Sequence, residues 1–165
     1  MKLIKSPDPV LKQPAEDWNF ETDLNAEEIA LEMIQIMKAS NGRGLAANQV
    51  GLLKRVFVIQ LESEISATAM FNPRIIDQSE EQVLGDEGCL SFPDLWLEVK
   101  RSKTIDVVYL DKTGKECKIT LTGIDARCFL HELDHLNGVC FTDKVSVLKL
   151  AMAKKQQQKK RKRYG

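Results

Sequence analysis

The chain has two histidines, His131 and His135, and both fall within one short run, Phe129 to Gly138. Residues four apart lie one above the other on a helix, so the two imidazoles can converge on a single metal ion with Glu132 beside them at the rim. This is the H-E-x-x-H pattern, in which the glutamate takes a proton from a water that the metal has acidified. An open tetrahedral metal takes three protein ligands and keeps its fourth position for water. The third ligand does not come from downstream. No glutamate follows Glu132, and Phe141 stands where the extended motif H-E-x-x-H-x-x-G-x-x-H needs its last histidine. The third ligand must therefore lie upstream, as a thiolate or carboxylate held on a turn.

The stretch Gly85-Asp86-Glu87-Gly88-Cys89-Leu90-Ser91-Phe92-Pro93 supplies a candidate in Cys89. A buried, inert cysteine is the competing reading. Flanking Gly88 and Glu87 favour the ligand, because a thiolate at a turn needs open backbone, and Cys117, Cys128 and Cys140 have less distinctive surroundings. None of the four cysteines forms a C-x-x-C pair, and their spacing is not that of a disulfide framework. That pattern suits a reducing compartment, with the cytoplasm as the expected location. A second run, Gly42-Arg43-Gly44-Leu45-Ala46-Ala47-Asn48-Gln49-Val50-Gly51, allows two readings. Its glycines can simply cap a helix and turn the chain. Alternatively they let a ligand backbone approach closely, with Gln49 placed to donate a hydrogen bond.

The elements that must position these groups follow from periodicity. Asn25 caps a helix with Ile29, Met33, Ile36 and Met37 on one face, ending near Asn41-Gly42. Strands are expected over 55–61, 69–76, 96–99, 104–110 and 116–121, with Pro73 marking the second as an edge or bulged strand. The polar segment 62–66 reads as a turn, 77–81 as an acidic loop, and 111–114 as a tight turn. Thr122 is the expected cap of the histidine-bearing helix, and Gly138 its end. The opening segment, with Pro7 and Pro9, reads as a surface arm. At 165 residues with 43% hydrophobic side chains the chain suits one globular domain, and no apolar run is long enough for a membrane span.

Taken together, three separated segments resemble one family, the peptide deformylases. Gly42 to Gln49 looks like its G-x-G-L-A-A-x-Q, Glu87 to Ser91 like its E-G-C-L-S, and His131 to His135 like its H-E-x-D-H. Pro7-Asp8-Pro9-Val10-Leu11 is similar as well. Asn48 departs from a common proline, and Leu130 from a glutamine that commonly precedes the first histidine. The resemblance implies an α+β fold of mixed β-sheets wrapped around the central metal-binding helix. It also implies hydrolysis of the N-formyl group from formylmethionyl nascent peptides. Cys89, His131 and His135 would hold the metal, with Glu132 as base and the Gln49 amide and Leu90 backbone N–H as donors to the developing oxyanion. The peptide would lie along Gly44 and Gly88 as an added strand. Leu45, Ile124 and Cys128 would line a methionine pocket, edged by the stems of Arg43 and Arg127. Glu87 and Arg101 are expected as an ion pair behind Cys89. The donor set alone suits Zn(II) and Fe(II) equally. The resemblance favours Fe(II), with Zn(II) or Ni(II) able to replace it in purified samples.

Charge divides the chain unevenly. Residues 149–165 carry eight Lys or Arg and no acid, leaving sixteen basic and twenty-four acidic side chains over 1–148. The expected organisation is a catalytic domain over 1–148 and a basic, partly helical tail over 149–165, with Ser146 as a cap. Such a tail suits contact with a polyanion, and ribosomal RNA is the one on which a formylated substrate is made.

Overall fold

A computed structural model describes residues 1–164 and shows an α+β architecture. Five antiparallel strands form one sheet: β1 (Gly44–Ala46), β2 (Val56–Ile59), β3 (Thr68–Gln78), β6 (Thr104–Leu110) and β7 (Glu116–Thr122), in the order β1-β2-β3-β6-β7. Between β3 and β6 the chain makes a separate hairpin of β4 (Gln82–Cys89) and β5 (Phe92–Ser102). Three helices complete the fold: α1 (Ala26–Ala39), α2 (Gly123–Leu136) and α3 (Val147–Tyr164).

The larger sheet is covered on both faces, which explains why all four residues of β2 are buried. Successive strand residues point to opposite faces. Val56 and Val58 join Ile29, Met33 and Met37 of α1, while Phe57 and Ile59 meet Ala126, Phe129 and Leu133 of α2. Phe57 and Phe129 stand edge to face with centroids 5.1 Å apart. The apolar face of α2 is thus fixed on the sheet. Its opposite face, bearing the histidines, is left toward the β4–β5 hairpin.

The helix ends follow the sequence closely. The Asn25 side chain accepts from the backbone N–H groups of Glu27 and Glu28, and α1 stops before Asn41, which adopts φ +54°. Pro73 lies at a register shift of β3 against β6, so a bulge accommodates its missing N–H. Other expectations need correction. Thr122 makes no capping bond to α2; its hydroxyl instead donates to Lys103 O, across the sheet edge. The opening segment lies on the surface, as expected, but is tied down along its length. Ile4 N donates to Gln49 O, Ser6 N to Ser91 O, and the Ser91 hydroxyl to Ile4 O.

The residues before Cys89, expected to be strand-like, form a full strand, β4, that extends back to Gln82. Gly85, Asp86 and Gly88 are weak strand formers. Gly85 and Gly88 are tolerated because other side chains fill the space above them. A Cβ on Gly85 would come within 2.9–3.0 Å of the Arg127 guanidinium, and one on Gly88 within 3.0–3.1 Å of the Trp96 ring.

The tail is helical from Val147, so a boundary at 148 falls inside the first turn of α3. The Ser146 hydroxyl accepts from Lys149 N, and Leu150 and Ala153 pack on Leu95, Leu97, Val99 and Phe141. Docking continues further along. Gln157 Nε2 donates to Pro93 O at 2.6 Å, and Arg161 reaches both Pro93 O and the Asp94 carboxylate.

Gly138 ends α2 with φ +72°, and a Cβ there would lie 2.6 Å from the backbone oxygen of Lys12. Both the left-handed conformation and the close backbone oppose any side chain. Gly138→Ala is expected to destabilise the fold by more than about 1 kcal/mol. An unchanged thermal midpoint in that variant would show that the turn reorganises freely.

Candidate metal centre

The helix and the hairpin bring three donors together. The ligand atoms of Cys89, His131 and His135 all lie within 4.8 Å of one another, and Cys89 Sγ is 3.4 Å from His135 Nε2. A tetrahedral ion about 2.3 Å from sulfur and about 2.0 Å from nitrogen has ligand-to-ligand edges of about 3.5 Å. The donors therefore fit a metal. Both histidines project from the polar side of α2, whereas Cys89 is the last residue of β4, at the tight turn into β5. Placement of the Cys89 sulfur depends on how the hairpin sits on the helix.

Behind the donors is a buried carboxylate. Glu87 is 4% exposed, and its Oε1 lies 2.8 Å from His131 Nδ1. A carboxylate only accepts, so Nδ1 carries the proton and Nε2 is left to face the donor cluster. Arg101 grips the same carboxylate through Nε and Nη2, each at 2.9 Å, and Arg127 Nη1 adds a bond of 2.8 Å. The expected Glu87–Arg101 ion pair is thus present, and Asp134 of the H-E-x-D-H run holds the other side of Arg101. Burial alone would raise the Glu87 pKa. Hydrogen bonds from His131 and Arg101 outweigh it and bring the group down to about 2.

The histidines are driven apart electrostatically. Burial opposes charge on His131, but hydrogen bonds to Cys89 and Glu87 overcome it and push the group up to about 10, so an ion would take its place at Nε2 by displacing a proton. Surroundings this negative favour a cation among the donors. Burial, reinforced by the neighbouring His131 charge, holds His135 well below its ordinary value, which keeps it in the neutral form that ligates.

Glu132 is 4% exposed, and its Oε2 has no hydrogen-bond partner. Burial pushes its pKa up to about 7, a value suited to taking and returning a proton near neutrality. Gly44 leaves the necessary room: a Cβ there would fall 2.4 Å from Glu132 Oε1. Gln49 is fully enclosed, with Oε1 accepting from Ala46 N at 2.9 Å. Its Nε2 donates to Ser91 Oγ at 3.1 Å and lies 3.5 Å from Cys89 Sγ. The Ser91 hydroxyl therefore aims the Gln49 amide. Ser91 stood in the E-G-C-L-S run without an assigned role, and its hydroxyl next to the cysteine was the available signal.

A cleft of about 650 Å³ opens over these groups. Gly44, Gln49, Gly88, Cys89, Leu90 and Glu132 line it, and Ile124 and Cys128 form part of one wall with Arg127. Leu45 does not belong there. Strand alternation turns its side chain into the core beside Trp18 and Met33, where it is fully buried. A second cavity, of about 530 Å³ between Arg55, Arg74 and Tyr109, holds none of these groups.

Comparison with known proteins agrees with this geometry. A family model described as polypeptide deformylase matches residues 1–151. A peptide deformylase of Thermodesulfovibrio yellowstonii is 41% identical over 158 residues, covering 94% of this chain and 94% of its own. That of Rhizobium meliloti is 43% identical, over 91% of this chain and 87% of its own. Among solved structures, a peptide deformylase from Synechococcus elongatus in complex with actinonin superposes with a TM-score of 0.88, at 36% identity, over 95% of this chain and 87% of that one. One from Thermotoga maritima gives 0.83 at 39% identity, over 88% of this chain and 97% of that one. Motif order, donor geometry and overall superposition converge, and the chain belongs to the peptide deformylase family.

Proposed function

We propose that Cys89, His131 and His135 hold a divalent metal, Fe(II) in the working enzyme, and that Glu132 is the general base. The reaction itself is that of the family: hydrolysis of the N-formyl group from formylmethionyl nascent peptides, with release of formate. The observation that carries the assignment is the meeting of a thiol and two imidazoles beside a buried carboxylate at one cleft. Zn(II) or Ni(II) can replace iron in such a site, because both match N, N, S donors and outrank iron in affinity. A bound ion supplies Lewis acidity, polarising a carbonyl and acidifying water.

The remaining work falls to the chain's own groups. Glu132 takes the water proton and returns it to the departing amine. Gln49 has one amide N–H on Ser91 Oγ and the other on Cys89 Sγ at 3.5 Å, and it is this second, longer bond that gives way to the oxyanion. The Leu90 backbone N–H is its partner in that role. The substrate backbone runs along Gly44 and Gly88 as an added strand, and the methionine side chain rests against Ile124 and Cys128. Support for that pocket comes from the cleft wall and from Cys128, whose thiol burial holds well above its ordinary value, so that it is neutral and behaves as an apolar surface.

Residues 1–148 act as the catalytic domain and 149–165 as a basic extension that contacts ribosomal RNA in the cytoplasm. The eight cations without an acid, and a thiol ligand suited to a reducing compartment, support this reading. No described helix is long and apolar enough to cross a membrane.

Cys89→Ala should lower metal content sharply, while Cys117→Ala, Cys128→Ala and Cys140→Ala keep a full equivalent. Metal analysis of the four variants checks this, and a fully loaded Cys89→Ala protein would force the ligand set to be redrawn. Glu132→Gln should retain metal yet lose about 10² to 10⁴-fold in formate release from a formyl-Met peptide under anaerobic conditions. Near-normal turnover there would remove Glu132 as the base. Deleting residues 152–165 should weaken ribosome association at low salt while retaining hydrolysis of a free formyl-Met tripeptide. Ribosome binding that survives the deletion unchanged would end the targeting role.

A further inference from the structure

The three metal donors come from two elements, α2 and the β4–β5 hairpin, with no strand pairing between that hairpin and the larger sheet. Something must fix how the hairpin lies on the helix. Arg127 stands on α2 one turn before His131, and its side chain is 13% exposed. Its Nη1 donates to Val99 O at 2.7 Å and to Gly85 O at 3.2 Å, and Nη2 donates to Val83 O at 2.7 Å. Val83 and Gly85 belong to β4 and Val99 to β5, where Gly85 and Val99 are register partners. One guanidinium thus reads carbonyls on both strands. It also holds Glu87, which in turn orients His131.

Gly85 completes the fit. The guanidinium lies flat over it, with Nη2, Cζ and Nε all 2.9–3.0 Å from where a Cβ would stand. Any side chain at 85 would lift the arginine from its acceptors. Cys89 lies four residues further along the same strand, so a shift of the hairpin there carries the thiol away from the two imidazoles.

We propose that Arg127, seated over Gly85, is a positioning residue that sets Cys89 against His131 and His135 and so governs how firmly the metal is held. The inference rests on the ligand assignment proposed above. A lysine cannot replace the arginine, because a single ammonium cannot span acceptors on two strands while also reaching Glu87. Loss of a group that orients metal ligands typically weakens metal affinity about ten- to a hundredfold.

The test uses the full chain loaded with Co(II), whose bond to a thiolate gives a charge-transfer absorption. Wild type, Arg127→Met, Arg127→Lys and Gly85→Ala are compared for that absorption, for the rate of Co(II) release to a chelator, and for the thermal midpoint of the metal-free protein. Arg127→Met and Gly85→Ala are expected to alter the absorption and to release Co(II) at least about tenfold faster, with no rescue by Arg127→Lys. A thiolate band absent from wild type would sink the Cys89 assignment, and this inference with it. A normal wild-type band with unchanged release from Arg127→Met would overturn the role of Arg127 alone, as would full rescue by lysine. So would a lowered thermal midpoint without faster release. Should Arg127→Met fail to fold, Gly85→Ala decides: it keeps every polar side chain of the site, and wild-type release from it would refute the proposal.

Discussion

One buried carboxylate holds the structure's two halves together. Glu87 sits on the hairpin and is gripped by Arg101 from the next strand, while Arg127 and His131 reach it from α2. A buried ion is stable only when its lone pairs are filled, and breaking such a pair by removing one partner typically costs about 3–5 kcal/mol. Here every oxygen is taken. The same bonds that keep the charge tolerable fix the tautomer of His131, so the requirement for neutralisation and the requirement for an oriented ligand are met by one set of contacts.

The rest of the architecture presents α2 correctly to that carboxylate. The helix is two-faced: Phe129, Leu133 and Leu136 bind it to the five-stranded sheet, and His131, Glu132 and His135 are left for the hairpin. Because α1 covers the opposite face of the sheet, the floor under α2 is rigid core on both sides. The hairpin has its own smaller core with α3, through Leu95, Leu97, Val99 and Phe141. The candidate metal centre thus lies at a junction between two packed bodies, joined by long polar side chains and, at the hairpin turn, by Leu90 against the core under α1.

What the sequence discloses follows from the range of each signal. His131, Glu132 and His135 form a local motif whose meaning depends only on helical periodicity, and it reads without a fold. Cys89 is forty-two residues from His131, and the Gly88 and Glu87 that single it out in the sequence serve other contacts: Gly88 leaves space for the Trp96 ring, and Glu87 holds Arg101, Arg127 and His131. Leu45 went astray because proximity in sequence to Gly44 says nothing about which face of β1 it takes; alternation sends it into the core. Thr122 had the chemistry of a cap but found its partner across the sheet. Asp134 and Arg127 are legible in the sequence only as charged residues on the histidine-bearing helix. Their partners lie on another element and could not be named without its register.

Gly44 and Glu132 occupy what is in effect a single volume, since a Cβ on one would overlap the carboxylate of the other. A small molecule that packs against this part of the cleft rests on a wall that point substitution cannot reshape. Every genetic change that adds a side chain at 44 displaces the Glu132 carboxylate together with the bound molecule. Escape from such a compound has to arise elsewhere along the cleft, at positions such as Ile124 or Trp96, where exposed side chains can change without entering the space of the Glu132 carboxylate.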